Sequence, residues 1–457
     1  MTECFVISAN EIKKRIDAFY YSKKFRSIIK IDKKTDLVEF RELIALITKG
    51  ETPLWRGDSY LTEGIPFLKV QNISEEGIKG DIAYISKQVH ERMQRSKLFG
   101  GELLYTMAGT IGIAVLFPEK IGEANINQAI AKIILNRGVN YKYIKVILNT
   151  SFCKLQAQRY LTTSAQPNIN FEQIKSIEIP LQSMEIQDRI VQLMDNAYNK
   201  KKQKETEALK LFNSVNGYIL DELGIKISEM QEKKCYIVNF EKVQNSRLNP
   251  YYYQPIFTEA KESLKKGKYK IENLKKFITK IHYGVSIKNE YLEKGIPLLR
   301  IMNLKPNKID ITDVVMLDES KRKEIGSGFV YEGDLLISRS GSVGIVAVVP
   351  KEAKGFAFGS FMIKFCINNE VNKEYIAIWL NSKISQLFTK QEKIGAIQGN
   401  ITIETIENFE IPFPPLEIQN KITSEIKART EKSEKLQKEA KEELKKAKEE
   451  VEKIILE

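Results

Sequence analysis

Histidine occurs only twice in the 457 residues, at His90 and His282, and the four cysteines, Cys4, Cys153, Cys235 and Cys366, have no CxxC spacing. Zinc sites need clustered Cys and His, so no metal site is expected. No stretch reaches the run of about 18 apolar residues that a membrane helix needs. The opening MTECFVISANEIKKR lacks a basic-then-apolar signal, so a cytoplasmic protein with no membrane association is expected. Nucleotide motifs are missing as well: no G-x-G-x-x-G follows a strand, and no G-x-x-x-x-G-K-[ST] occurs. Neither a methyl-donor pocket nor an ATP motor is expected, and no cofactor.

What the chain does have is a second copy of itself. Gly101, Gly109, Gly112, Pro118 and Pro180 recur as Gly333, Gly341, Gly344, Pro350 and Pro412, each 232 positions on. Gly and Pro hold the register because backbone geometry restricts their replacement. Arg15 to Tyr20 returns as Arg247 to Tyr252, Leu148-Asn149 as Leu380-Asn381, and Ile186-Gln187 as Ile418-Gln419. Gly64, Pro66 and Asn72 return as Gly295, Pro297 and Asn303 with a step of 231, so one residue slips in a loop and is regained. A period this long means two domains, not a solenoid. With 42% hydrophobic residues, both can build cores without disulfides or metals.

Each copy divides into a β-rich part and a helical part. Pro66 to Val70 and Glu102 to Thr106 read as strands. Asp334 to Ser338 and Val343 to Val348 flank a tight turn at Arg339-Ser340-Gly341-Ser342. One helix is expected over Tyr143 to Tyr160, with its copy over Tyr375 to Thr389. After Pro180 and Pro412 the pattern becomes long and helical. Ile422, Arg429, Ser433, Leu436, Ala440, Leu444, Ala447, Val451 and Ile454 form a heptad-like seam, and Ile186, Ile190, Leu193, Ala197, Leu211, Val215 and Ile219 form the first copy's stripe. Each helix would run about 40 residues, or about 60 Å. Two such stripes can cover one another as an antiparallel coiled coil. The expected fold is α+β, a tandem pseudo-symmetric repeat with two mixed β-rich domains separated by a rod of two long helices. Its parts are a first domain at 1–180, a first long helix at 181–231, a second domain at 232–412 and a C-terminal long helix at 413–457.

Net charge is +13 with 72 Lys and Arg, which favours a polyanionic partner without identifying it. Catalysis finds no support. Asn249-Pro250-Tyr251-Tyr252 shares letters with the N-P-P-Y signature of amino-methyltransferases, but its repeat partner is Asp17-Ala18-Phe19-Tyr20, so the shared property is an aromatic pair that docks a strand or helix. No group of acids with a lysine recurs in both copies as a duplicated nuclease centre would, and His90 and His282 are not equivalent positions.

The turn Ser338-Arg339-Ser340-Gly341-Ser342-Val343-Gly344, the later Gln398-Gly399-Asn400-Ile401-Thr402, and the run from Ile411 to Gln419, I-P-F-P-P-L-E-I-Q, that opens a long helix together resemble the specificity subunit of type I restriction–modification systems. So does Arg247-Leu248-Asn249-Pro250-Tyr251-Tyr252. The resemblance covers both halves and nearly the whole chain. It implies one target-recognition domain per half, double-stranded DNA as partner, two methyltransferase subunits docked on the helical regions, and restriction endonuclease subunits. Catalysis would then lie in those partners, and this chain would be a recognition subunit and not an enzyme.

Side-chain chemistry supports a DNA-facing set. Arg, Asn and Gln make bidentate contacts to G or A, and a Gly-rich polar turn approaches a base edge closely. The candidates in the first half are Trp55, Arg56, Lys69, Gln71, Asn72, Thr106, Thr110, Arg159, Gln166 and Asn168. In the second half they are Tyr283, Ser286, Arg300, Asn303, Ser338, Arg339, Ser342, Lys390, Gln398 and Asn400. A purely structural reading competes at several of these. Gly109 and Gly341 can serve a β-turn alone, Gln166, Asn168, Gln398 and Asn400 can satisfy loop backbone, and Arg159 and Lys390 can point into solvent or touch phosphate. The first half departs from the pattern at Met107, where the second has Arg339, and at Pro180-Leu181, which lacks the double proline. Heads reading different sequences would differ in this way.

Three other readings are weighed beside this one: a specificity subunit of a type IIB-like or other phage-defence complex, an enzyme with two degenerate catalytic domains, and a coiled-coil scaffold with incidental basic charge. Strongly salt-dependent duplex binding separates the first reading from the scaffold.

Overall fold

The computed structural model describes residues 18–25, 36–53, 57–161, 167–227, 231–244, 248–287, 291–392 and 399–456. The repeat anchors Arg15, Ile16, Asp17 and Arg247 lie outside them. The chain forms two compact units, residues 1–206 with 436–457, and residues 207–435. The boundaries between these units fall inside the two long helices, Met184–Glu222 and Leu416–Leu456.

The first unit has an antiparallel four-stranded sheet in the order Ile44–Lys49, Ile130–Leu135, Leu103–Thr106, Ala114–Leu116. A second sheet orders Ala83–Ile85, Ile65–Leu68, Ala124–Ile126 and Lys97–Leu98, with its two central strands parallel. The second unit repeats both patterns. Ile278–Tyr283, Met362–Ile367, Leu335–Ser338 and Val346–Val348 form its antiparallel sheet, while Val315–Leu317, Ile296–Leu299 and Ala357–Phe358 form the other, again with a parallel pair. Ile130–Leu135 and Met362–Ile367 are central and covered on both faces, which explains their nearly unbroken apolar sequence. Each contains one lysine, and each lysine finds an acid. Lys132 meets Glu102 at 2.8 Å and Lys364 meets Asp334 at 3.6 Å, with all four side chains largely shielded from solvent.

Where one helix was expected over Tyr143 to Tyr160 there are two, Tyr141–Leu148 and Ser151–Arg159, and its copy likewise divides into Lys373–Leu380 and Lys383–Glu392. Asn149 causes the break in the first unit. Its Oδ1 accepts the Ala114 N–H at 3.1 Å and its Nδ2 donates to the Ala114 carbonyl at 2.7 Å, while the Thr150 hydroxyl caps the next helix by accepting from Cys153. Asn381 does the same to Val346, at 3.1 and 2.7 Å, and Ser382 stands in the place of Thr150. The repeated Leu-Asn string is thus a brace between a helix end and a strand.

The long helices enter both units and run antiparallel within each. In the first unit Ile190, Val191, Met194 and Ala197 share a core with Leu444, Ala447, Val451 and Ile455, and Lys204 pairs with Glu439 at 2.5 Å. At the last turn Ile455 is the fully buried residue, with Ile454 only partly covered. Lys448 of the C-terminal helix also reaches Glu75 at 2.5 Å, and Lys154 joins them. Burial alone would raise the Glu75 pKa, but the two ammonium groups bring it below its usual value. In the second unit Ile219, Leu220 and Leu223 pack with Ile422 and Ile426, Lys421 pairs with Glu222 at 2.9 Å, and Ser433 donates to the Ala208 carbonyl at 2.8 Å. That last bond needs small residues on both helices, and Ala208 and Ser433 supply them.

Candidate nucleic-acid interface

Four segments of the second unit converge at one end of its antiparallel sheet. The Arg339 N–H donates to the Phe361 carbonyl at 2.9 Å, and the Arg339 carbonyl accepts from Ile401 at 3.1 Å, while Ser340 bridges to Asn400. Gly284 donates to the Met362 carbonyl at 3.1 Å. A Cβ at Gly284 would stand 2.2 Å from the Gly359 carbonyl oxygen, so only glycine permits this crossing. The turn itself depends on Gly341 at φ 76 and Gly344 at φ 88, conformations that L side chains seldom adopt. Ser338, fully buried, holds the turn from inside: its Oγ accepts the Ile345 N–H at 2.8 Å and donates to the Ser342 carbonyl.

On this frame Arg339 lies partly buried with its guanidinium 4.8 Å from the centre of the Tyr283 ring, a cation–π contact. Its Nε is shielded and has no acceptor among the described residues. Ser286, Ser342 and Lys390 are exposed, and Asn400 is partly covered.

The first unit builds the same end from different side chains. Met107 donates to the Ala129 carbonyl at 2.8 Å and accepts from Ile169 at 3.0 Å, and Ala108 bridges to Asn168. Gly50 crosses the chain as Gly284 does, and Gly109 and Gly112 take φ 73 and 87. Thr106 replaces Ser338, accepting the Ile113 N–H at 2.9 Å. Met107, however, is only 5% exposed and belongs to the core. The strand register places Lys49, opposite Ala131, where the second unit has Tyr283 opposite Ile363. Lys49 is exposed, as are Gln71, Thr110 and Asn168. Lys49 was missed in the sequence because its surroundings slip by two residues against the 232-residue step.

Several candidates are committed elsewhere. Asn72 and Asn303 are buried, and each accepts the N–H of the residue three before it, Lys69 or Arg300, and donates to two carbonyls. They organise loops. Lys69 lies 3.8 Å over the Tyr60 ring, and Arg300 reaches Asp313 at 3.2 Å. Arg159 donates to the Tyr20 carbonyl at 2.8 Å and stacks 3.7 Å over the Tyr20 ring. Burial, with the neighbouring Tyr160, pushes the Tyr20 hydroxyl up to about 12, so the phenol stays neutral there. The equivalent of Arg159 in the second unit is Gln391, which donates to the Tyr252 carbonyl at 2.9 Å. The repeated aromatic string is a docking point for a helix end, and Asn249 caps the short helical turn, Pro250–Tyr253, that carries it. Trp55, Arg56, Gln166 and Gln398 lie outside the described residues. His90, without a counterpart, is buried between Asn125 and Glu123 in the first unit only.

Among the described residues, no cluster of acids, His and Cys could hold a metal ion and no helix is long and apolar enough to cross a membrane. Comparison with known proteins agrees with the repeated architecture. The family model described as the type I restriction modification DNA specificity domain matches twice, at residues 33–211 and 225–446. A protein named as the MjaX type I restriction enzyme specificity subunit of Methanocaldococcus jannaschii is 26% identical over 159 residues, 34% of this chain. The EcoEI specificity subunit of Escherichia coli is 29% identical over 103 residues, 21% of the chain. The matched stretches span 37% and 17% of those two relatives. A solved structure concerned with complex assembly and conformational transition of the type I R-M system has the same fold, with a TM-score of 0.55 at 13% identity, covering 92% of this chain and 96% of that one. With both halves matched in order, the chain belongs to the type I restriction modification DNA specificity family.

Proposed function

We propose that this chain reads a bipartite target in double-stranded DNA, one half-site per unit, and brings methyltransferase and endonuclease subunits to it in the cytoplasm. Two methyltransferase subunits dock on the long helices, and adenine methylation and ATP-dependent cleavage reside in the partners. One observation carries this reading. Two frames that agree at the glycines, the capped turn and the asparagine brace present different side chains at matching exposed positions, as two readers of different half-sites must. Base edges supply the specificity and phosphates the salt-dependent affinity.

Arg339 is the residue whose loss tests the base-reading role. Arg339→Ala is expected to weaken binding to the specific site by about 1–3 kcal/mol while leaving random duplex nearly unaffected. Met107→Leu in the other unit serves as the control, since alanine at this core position would leave a cavity and confound binding with stability. Titration of both variants against target and random DNA at several salt concentrations decides the matter. Equal loss on both duplexes would reduce Arg339 to a phosphate contact.

The chain alone is expected to transfer no methyl groups and cut no DNA. Incubation with labelled methyl donor and target duplex, using a preparation free of other subunits, tests this. Label incorporated above the level of a no-protein control would refute the assignment of catalysis to partners.

A further inference from the structure

We infer that the second unit reads the C5 methyl group of a thymine with Phe361 and Met302, a contact that the matching described residues of the first unit do not repeat. The inference rests on the proposal that this end of the unit meets duplex DNA. Phe361 is 50% exposed, Met302 51% and Tyr283 42%. Phe361 and Tyr283 belong to the segments that converge at the Arg339 turn, and Met302 follows Ile301, which packs against that turn. The Phe361 carbonyl takes the Arg339 N–H, and Ile301, next to Met302, brings its Cδ1 within 3.6 Å of where a Cβ at Gly341 would stand. The matching positions of the first unit are Ala129, buried, and Gln71 and Lys49, both exposed and polar.

Large apolar side chains left in water at the rim of a polar turn do not stabilise the fold. A docking site for a protein that binds both copies would be repeated, and among the described residues this one is not. The occupant must therefore differ between the two units, as base edges do between two half-sites. The thymine methyl is the apolar group that a base pair shows in the major groove, and phenylalanine is among the side chains that meet it. Arg339, held against Tyr283 on the same frame, supplies a cation for a neighbouring guanine or phosphate.

The test uses the complete complex with its methyltransferase subunits and the target defined by methylome sequencing. Thymines of one half-site at a time are replaced by deoxyuridine, which removes only the methyl group. Wild type is expected to lose roughly fourfold in affinity on one substituted half-site, the cost of one lost buried methyl group, and nothing of this kind on the other. Phe361→Ala and, independently, Met302→Ser should bind the thymine and uracil forms of that half-site equally. Both residues are exposed, and an unchanged melting temperature will show that the variants fold. Tolerance of uracil in both half-sites, a target without thymine in either half-site, or a full uracil penalty in both variants would overturn the inference. If the variants keep the penalty but no longer co-purify with methyltransferase, the patch docks protein and the inference is likewise overturned. Failure of the underlying proposal looks different: the unsubstituted target would then be bound no better than random duplex.

Discussion

Lys132→Ala is expected to destabilise the first unit by about 3–5 kcal/mol, the usual consequence of leaving one partner of a buried ion pair uncompensated. Lys132 lies in the central strand, and its Nζ lies 2.8 Å from Glu102 and 2.6 Å from the Lys97 carbonyl. The side chains are 10% and 16% exposed, so little water reaches the acid when the ammonium group is removed. Lys364 repeats the arrangement with Asp334 and the Phe329 carbonyl, at 3.6 and 2.7 Å, and Lys364→Ala should act on the second unit in the same way. The position matters for recognition as well as stability. Glu102 and Asp334 immediately precede the strands that end in the Met107 and Arg339 turns, so the pairs pin those strands to the centre of each sheet. Denaturant unfolding of the single variants, followed by a probe in each unit, gives the measurement. A double change to apolar residues, Lys132→Met with Glu102→Leu, should recover most of the loss, because a well-packed apolar pair need not be less stable than a buried salt bridge. A loss under about 1 kcal/mol in both lysine variants would mean that the acids reach solvent and that the pairs contribute little.

These pairs were not legible in the sequence, although both lysines and both acids recur at the 232-residue step. A lysine in an apolar strand reads as an edge or a solvent-facing position, and only the sheet order shows that the strand is central. What sequence could carry was the register, because Gly109, Gly112, Gly341 and Gly344 need positive φ and their replacement is costly. The helical stripe was also legible: Ile190, Ala197, Ile219, Ile422, Ala440, Leu444, Ala447 and Val451 are all buried. The single helix at Tyr143 was misread because apolar periodicity continues through Asn149, and the brace that interrupts it comes from a strand 35 residues away. The candidate site was the least legible part. Arg159, Asn72 and Asn303 carry the right chemistry for DNA but spend it on carbonyls and N–H groups of their own unit. Phe361, Met302 and Lys49 gave no signal of their own, and only their exposure at the converging loops singles them out.

Shortening the long helices is expected to change the preferred spacer between half-sites, because both crossings of the chain from one unit to the other lie within them. Met184–Glu222 and Leu416–Leu456 each continue as one uninterrupted helix through the residues where the compact units divide, 206 and 435. Removing Glu434 to Ala440 takes out one heptad, roughly 10 Å of helix or about three base pairs of duplex rise. It also removes Ala440, which is fully buried, and Glu439, the partner of Lys204, so the opposing helix must repack. A paired deletion of Thr206 to Phe212 keeps the two seams matched in length and is the better variant. An out-of-step deletion of three residues should instead unfold the seam, since it turns the apolar stripe away from its partner. With partner subunits present, methylation of a library whose spacers differ by one base pair at a time reports the preferred length. Wild type should show one sharp optimum, and the paired heptad variant an optimum shorter by up to about three base pairs. An unchanged optimum in a variant that stays folded and active would leave the helices as a docking platform only, with the spacer set by the DNA or by the methyltransferase subunits.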